Sequence, residues 1–384
     1  MEPIEKTIAG QPSWIIRSDQ VELAVARLGG HMAPVTFYRG SGRPVQPYHI
    51  SPWQTEGQKV PVPVLVPLRG DFFCAPFGNP SVFRGRDYPA HGESACFAWR
   101  LAGAEKEGAV TSLTLRMRTR IAPGTVTKRL LLIDGHNVVY SQHVLEGFSG
   151  PMTIGHHATL AMPARERSMK VTTSPIRFGM TNPTPPGDPA GGDYFSMAVN
   201  RRFRTLAGVP MNWKDRPFDD ASEFPARRGF CDLYAVFNRP GPIAWTAASF
   251  EDDGFVWFSL KDPAVQPATM FWAENHGRHS APWNGRNCCL GLEDICAFLS
   301  EGLAASAAPN SLSRAGVPTT VRLSPDRPMA VNYIQGVVKV PRGFGRVRTL
   351  RFSPGRVTFE SAAGRKVAAE LCHEFIQTGR LSRR

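Results

Sequence analysis

The chain has 384 residues, with 45 Lys and Arg against 32 Asp and Glu and a formal net charge of +13. Its 42% hydrophobic and 20% charged residues exclude a disordered or collagen-like chain and are enough for a sizeable buried core. The positive residues are scattered, with only short clusters such as "VNRRFR" and "RLSRR", and no apolar run reaches the length of a membrane span.

These features predict neither a nucleic-acid nor a membrane partner. Seven cysteines, an odd number with Cys288 and Cys289 adjacent and no CxxC, predict a reduced, cytoplasmic protein. "MEPIEKTIAG" lacks the basic and then apolar pattern of a secretory leader, so none is expected.

In chain order, "VELAVARL" and "APVTFY" read as strands. "HGESACFAWRL" places His91 and Glu93 on one side of the chain, just before an apolar strand. In "TSLTLRMRTRI", Leu113, Leu115, Met117 and Ile121 line one face, and Arg116, Arg118 and Arg120 the other. That alternation predicts a half-buried antiparallel strand. "RLLLIDGHNVVYSQHVL" sets Asp134-Gly135 between two apolar runs, a hairpin signal. Strand patterns continue in "MTIGHHATLAM", "CDLYAVF", "IAWTAASF", "GFVWFSL", "MFWAEN", "CCLGLEDI" and "MAVNYIQGVV". Helical periodicity is almost absent before the tail, so the expected fold is all-β, a large antiparallel sandwich. Residues 181–195 and 212–230, rich in Pro, Gly and charge, are expected to border a binding cleft. "TLRFSPGRVTFES" predicts a hairpin around Pro354-Gly355. "GRKVAAELCHEFIQTGR" predicts a short amphipathic helix, with Val367, Leu371 and Phe375 on one face and Gly379 as its stop.

Pleating separates the two adjacent histidines of "MTIGHHATLAM". His156 shares a face with Ile154, Ala158 and Leu160, where a core histidine is expected. His157 lies with Thr153, Gly155 and Thr159, small or polar neighbours that leave room for a ligand. In "LGLEDI", Glu293 shares a face with Gly291 and Ile295, opposite Asp294. A carboxylate there is either partnered, for example by Arg286, or used in chemistry. His91 taken alone fits a turn residue.

In this order and spacing the segments resemble the galactose mutarotase (aldose 1-epimerase) superfamily. "PAHGESACFAWRL" is similar to its early His-Gly segment. "IGHHATLAMP" is similar to its central segment, with His157 on the catalytic histidine. "CCLGLEDI" is similar to its late Leu-Glu segment, and "RGDFFCAPFGN" to its Pro-Phe/Tyr-Gly stretch. "APNSLSRAGVPTTVRLSPDRPMAVNYIQGVV" is similar to its closing pattern. His156 stands where the family has Asn, and Glu93 where its common pattern has Gly.

The resemblance implies a galactose mutarotase-like β-supersandwich over residues 1–342. Residues 343–384 are expected as a hairpin-plus-helix extension packed on the same domain. It also implies anomer interconversion of a sugar or sugar phosphate by general acid/base ring opening, without cofactor or metal. Glu293 is then the base and His157 the acid, protonated with help from the nearby carboxylate. His91 would hold the ring oxygen or an adjacent hydroxyl. Trp272 or Trp283 would stack on the sugar, and His276 and Arg278 would meet hydroxyls or phosphate.

Two other readings stay open. One is a non-catalytic sugar-binding or regulatory relative. The other is a metal-dependent β-sandwich enzyme using His91, Glu93, His156 or His157, His276 and His279. Against the second, adjacent strand residues face opposite ways, and no His-x-His pattern occurs.

Overall fold

The computed structural model describes residues 2–381. Two antiparallel sheets form the body. The larger runs Glu223–Phe224, Met169–Thr173, Ala244–Phe250, Phe255–Lys261, Met329–Lys339, Val138–Glu146, Gly124–Ile133, Val110–Thr119, Arg100–Glu107. The smaller runs Arg202–Phe203, Ile176–Thr181, Phe230–Asn238, Ala268–Asn275, Cys288–Cys296, Ile154–Ala161, Phe73–Cys74. Leu113, Leu115, Val126 and Leu130 of the first pack with Ala158, Leu160, Phe271 and Leu292 of the second. A four-stranded sheet from Ile4–Ile8 to Met32–Thr36 adds Val25 and Val35 to that core.

Local pattern explains the larger sheet. Leu113, Leu115 and Met117 are buried while Arg116 and Arg118 are exposed, as alternation requires. The strand ends at Thr119, so Ile121 lies in the following turn. Gly124–Ile133 and Val138–Glu146 form the hairpin, and Gly135 supplies a φ of 87° that a β-carbon would resist.

Two expected elements differ. Gly92–Cys96 is a short helix rather than the entry to a strand, because its polar and small residues turn the chain against Phe73–Cys74. Near the C-terminus, Lys366–Glu370 is a strand, not part of a helix. Its burial alternates, and Val367 pairs with Phe359 on the free edge of Arg356–Ser361, so sheet edge outcompetes helix. Only Phe375–Thr378 is helical, stopped by Gly379 at φ 62°. The expected hairpin is present as Val347–Ser353 with Arg356–Ser361.

Val357, Phe359, Leu371 and Phe375 pack on Tyr140, Trp245, Phe258 and Ile334, the outer face of the nine-stranded sheet. The other side of the seven-stranded sheet carries a separate cluster that includes Phe77, Trp272, Trp283 and Trp53. Among the described residues, no helix is long and apolar enough to cross a membrane.

Candidate functional site

The site is built on two neighbouring strands. Ile154–Ala161 pairs with Cys288–Cys296 in a register that sets His157 opposite Glu293 and His156 opposite Asp294. Directly opposed residues share a face, so one pair points inward and the other outward.

The inward pair is structural. His156 is fully buried, with Nε2 3.1 Å from His143 Nδ1 and Nδ1 accepting from Gln266 Nε2 at 3.1 Å. Its ring stacks on Tyr333 at 4.1 Å. Asp294 pairs with Lys261 Nζ at 2.6 Å and accepts from Thr269 Oγ1 at 2.6 Å, Ser259 Oγ at 2.9 Å and the Tyr333 hydroxyl at 2.9 Å. A buried ion pair persists when its remaining hydrogen-bonding capacity is filled in this way.

The outward pair is in direct contact. His157 Nε2 lies 3.2 Å from Glu293 Oε1, and Nδ1 lies 3.2 Å from Thr159 Oγ1. The two residues are 4% and 2% exposed. A β-carbon at Gly291 would fall 2.7 Å from Glu293 Oε1 and 3.0 Å from Trp272 Cβ, so the glycine leaves the space the carboxyl occupies. Phe72 holds the imidazole in two ways. Its carbonyl accepts the His157 backbone N–H at 2.9 Å, which fixes the strand position that carries the ring, and its own ring stacks on His157 at 4.4 Å and on His31 at 3.9 Å. His91, half-buried, meets the His157 ring edge-on at 5.1 Å, with Nδ1 3.5 Å from Cys74 Sγ.

Burial favours the neutral form of each group. It pushes the Glu293 carboxyl up to about 8, against the opposing charge of Arg278. Burial, with His91 and His31 nearby, pulls His157 well below the usual imidazole value. Burial and then Arg278 lower His91 to about 4. At neutral pH the proton of the pair therefore rests on Glu293, not on His157. The sequence suggested a carboxylate raising the histidine; desolvation of both partners reverses that.

An aromatic wall adjoins the pair. Trp272 stands 5.7 Å from His157, Trp283 5.7 Å from Trp272, and Trp53 4.8 Å from Trp283. The Arg278 guanidinium lies over Trp272 at 5.7 Å and over Trp283 at 5.0 Å. Residues 181–195 reach this region, where the Tyr194 N–H donates to the Gly277 carbonyl at 2.9 Å.

The structure thus brings together His157, Glu293, His91, Trp272, Trp283 and Arg278. His276 instead closes its own loop: at φ 62°, its Nδ1 bonds the Gly285 carbonyl at 2.8 Å and its N–H donates to the Asn287 carbonyl. Glu93 serves the fold, accepting the Arg120 N–H at 2.8 Å and the Ile121 N–H at 2.9 Å. Arg286 pairs with Glu56, with 2.6 Å between Nη2 and Oε2, rather than with Glu293.

Sequence reasoning missed Phe72, Trp53 and the contact role of Thr159. Alternation had put Thr159 on the face of His157. Trp53 comes from a distant segment with no local signal, and in "RGDFFCAPFGN" nothing distinguishes Phe72 from its aromatic neighbours. Among the described residues, no three His, Cys, Asp or Glu side chains are grouped to hold a metal ion.

No family profile and no curated protein sequence matches the chain. Solved structures do. A candidate aldose 1-epimerase from Klebsiella pneumoniae matches with TM-score 0.60 at 12% identity, covering 86% of this chain and 80% of that one. A candidate mutarotase from Salmonella typhimurium matches with TM-score 0.58 at 11% identity, covering 88% and 96%. A galactose mutarotase-like protein from Clostridium acetobutylicum matches with TM-score 0.58 at 11% identity, covering 88% and 98%. With its sheet order and packing, this likeness shows that the chain has the galactose mutarotase-like β-sandwich fold.

Proposed function

We propose that the protein is an aldose 1-epimerase-type enzyme that interconverts the anomers of a small sugar or sugar phosphate. The observation that carries this reading is the 3.2 Å contact between His157 Nε2 and Glu293 Oε1, on one sheet face beside an aromatic wall. Anomer exchange needs one base at O1 and one acid at O5, both attached to C1. Two groups that share a single proton supply that set.

Glu293 takes the proton from the O1 hydroxyl, the C1–O5 bond breaks, and His157 gives its proton to O5. The open-chain aldehyde rotates about C1–C2, and the steps reverse. The starting ion pair carries the same single proton as the neutral pair. It forms when the Glu293 proton crosses to His157 Nε2 as sugar hydroxyls stabilise the carboxylate. Each positioned acid or base contributes roughly 10²–10⁴ in rate. His91, neutral beside His157, takes the role of hydrogen-bonding partner to the ring oxygen or a neighbouring hydroxyl.

The test is NMR exchange or polarimetry on a panel of neutral and 6-phosphorylated aldoses. Wild type accelerates exchange, and Glu293→Gln binds but does not turn over. Exchange that survives Glu293→Gln would end the assignment. The low exposure of the pair favours a second reading, a sugar-binding relative without turnover. Binding without exchange in wild type would select it.

A further inference from the structure

Arg278 lies where a sugar ring would have to stack. Its guanidinium covers the indole faces of Trp272 and Trp283, and its side chain is 20% exposed. The acid–base pair beside Trp272 is almost closed off, at 4% and 2%. The polar contacts that hold it there are long. Arg278 Nε is 3.8 Å from Glu274 Oε2, and Nη2 is 3.5 Å from the Pro186 carbonyl.

Two buried polar atoms under this cover have no hydrogen-bond partner: Trp272 Nε1 and Glu274 Oε2. Trp272 is 5% exposed and Glu274 fully buried. Unmet buried donors and acceptors are costly, and native proteins rarely leave them without a use. They also complement each other, one donating and one accepting, as a vicinal pair of sugar hydroxyls requires. Glu274 and Trp272 alternate along Ala268–Asn275, so they project from the same sheet face as Glu293. Glu274 Oε1 is already committed to the N–H groups of Gly277, at 2.8 Å, and Arg278, at 3.2 Å. Its other oxygen, Oε2, is left with the 3.8 Å ion contact to Arg278 Nε, which departure of the guanidinium releases. A resting place for the displaced guanidinium is at hand. Asp193 forms a backbone bridge with Arg278, and its Oδ1 has no hydrogen bond.

We propose that Arg278 is a gate displaced by the aldose, and that Trp272 Nε1 and Glu274 Oε2 are the specificity contacts its departure exposes to the sugar hydroxyls. This rests on the sugar-site reading above and adds to it a closed resting state and a recognition residue, Glu274. A guanidinium stacks on an indole by cation–π attraction, and a sugar presents its C–H face to the same surface. The two occupants therefore compete.

The experiment is acrylamide quenching of tryptophan fluorescence in sugar-free wild type, Arg278→Ala, Arg278→Lys, and Arg278→Ala combined with Trp283→Phe. Ungating raises the quenching constant about twofold in both single variants, since lysine cannot cover two indoles as a planar guanidinium does. Trp283→Phe removes part of that rise, the remainder coming from Trp272, and D-glucose or D-galactose added to Arg278→Ala reverses it. Glu274→Gln, whose oxygen stays with the Gly277 and Arg278 N–H groups while its amide nitrogen replaces the Oε2 acceptor, weakens aldose binding roughly tenfold relative to wild type. Unchanged quenching in both single variants overturns the gate, and unchanged affinity in Glu274→Gln overturns the recognition role. Sugar-reversible quenching without anomer exchange would retire the proposed activity and leave the gate standing. Exchange with unchanged quenching would do the opposite.

Discussion

His157 and Glu293 stand directly opposite each other on adjacent antiparallel strands, with Nε2 and Oε1 3.2 Å apart. The next opposed pair, His156 and Asp294, is one residue along each strand and points into the core. A slip of one residue in either strand would exchange the faces and bury the chemistry.

The pH dependence of exchange follows from the proton the pair shares. Glu293 loses its proton near pH 8, so kcat/KM falls above that value. On the acid side the loss comes from protonating His157 before sugar binds, and it begins well below the ordinary imidazole range. An NMR-exchange profile checks both limbs. A rate flat through pH 9 would contradict the assignment of Glu293.

Stability carries the same sign. The folded state keeps a proton on Glu293 that the unfolded chain releases above its ordinary value of 4.5. The Glu293 contribution to folding therefore becomes less favourable as pH rises from there to about 8. Glu293→Gln removes this effect, so its melting temperature gains on wild type between pH 5 and pH 8. The gain corresponds to about 1–4 kcal/mol. Parallel melting curves at the two pH values would show that the carboxyl is not desolvated.

Gly291→Ala should impair chemistry more than folding. The added methyl meets Glu293 Oε1 at 2.7 Å and forces the carboxyl away from His157. A displacement of this kind costs roughly 10²-fold in turnover. The measurement is kcat beside a thermal melt; a normal kcat would mean that the carboxyl position is not critical.

Glu93→Ala separates a structural carboxylate from a site carboxylate. It strips the acceptor from the Arg120 and Ile121 N–H groups and costs about 2–4 kcal/mol in stability. Glu93→Gln, which keeps one acceptor oxygen, loses less. Denaturant unfolding of the two variants gives the comparison.

The division at residues 342 and 343 is open to a direct test. Ending the chain at Arg342 uncovers Tyr140, Phe258 and Ile334 on the outer face of the larger sheet. The truncated protein should aggregate or melt well below the full chain, because that face is apolar and continuous. A soluble truncation with an unchanged melting temperature would show that the extension packs without stabilising the body.

Much of the architecture was legible because it is written in period two. The face assignments of His156, His157 and Glu293 came from alternation alone, as did the buried row Leu113, Leu115 and Met117. The C-terminal segment misled for a related reason. Val367, Leu371 and Phe375 fit a helical stripe, yet Val367 and Ala369 also alternate, and the free edge of Arg356–Ser361 decided between the two. Over short apolar runs local pattern does not separate helix from strand.

By itself the sequence determined which side chains share a face, because that depends only on the pleat of one strand. The tertiary structure decided which faces meet. It brought Phe72 and Trp53 to the site from remote segments, laid Arg278 over the indoles, and paired Arg286 with Glu56. It also decided the protonation of the pair, because desolvation depends on everything packed around a group and not on its neighbours along the chain.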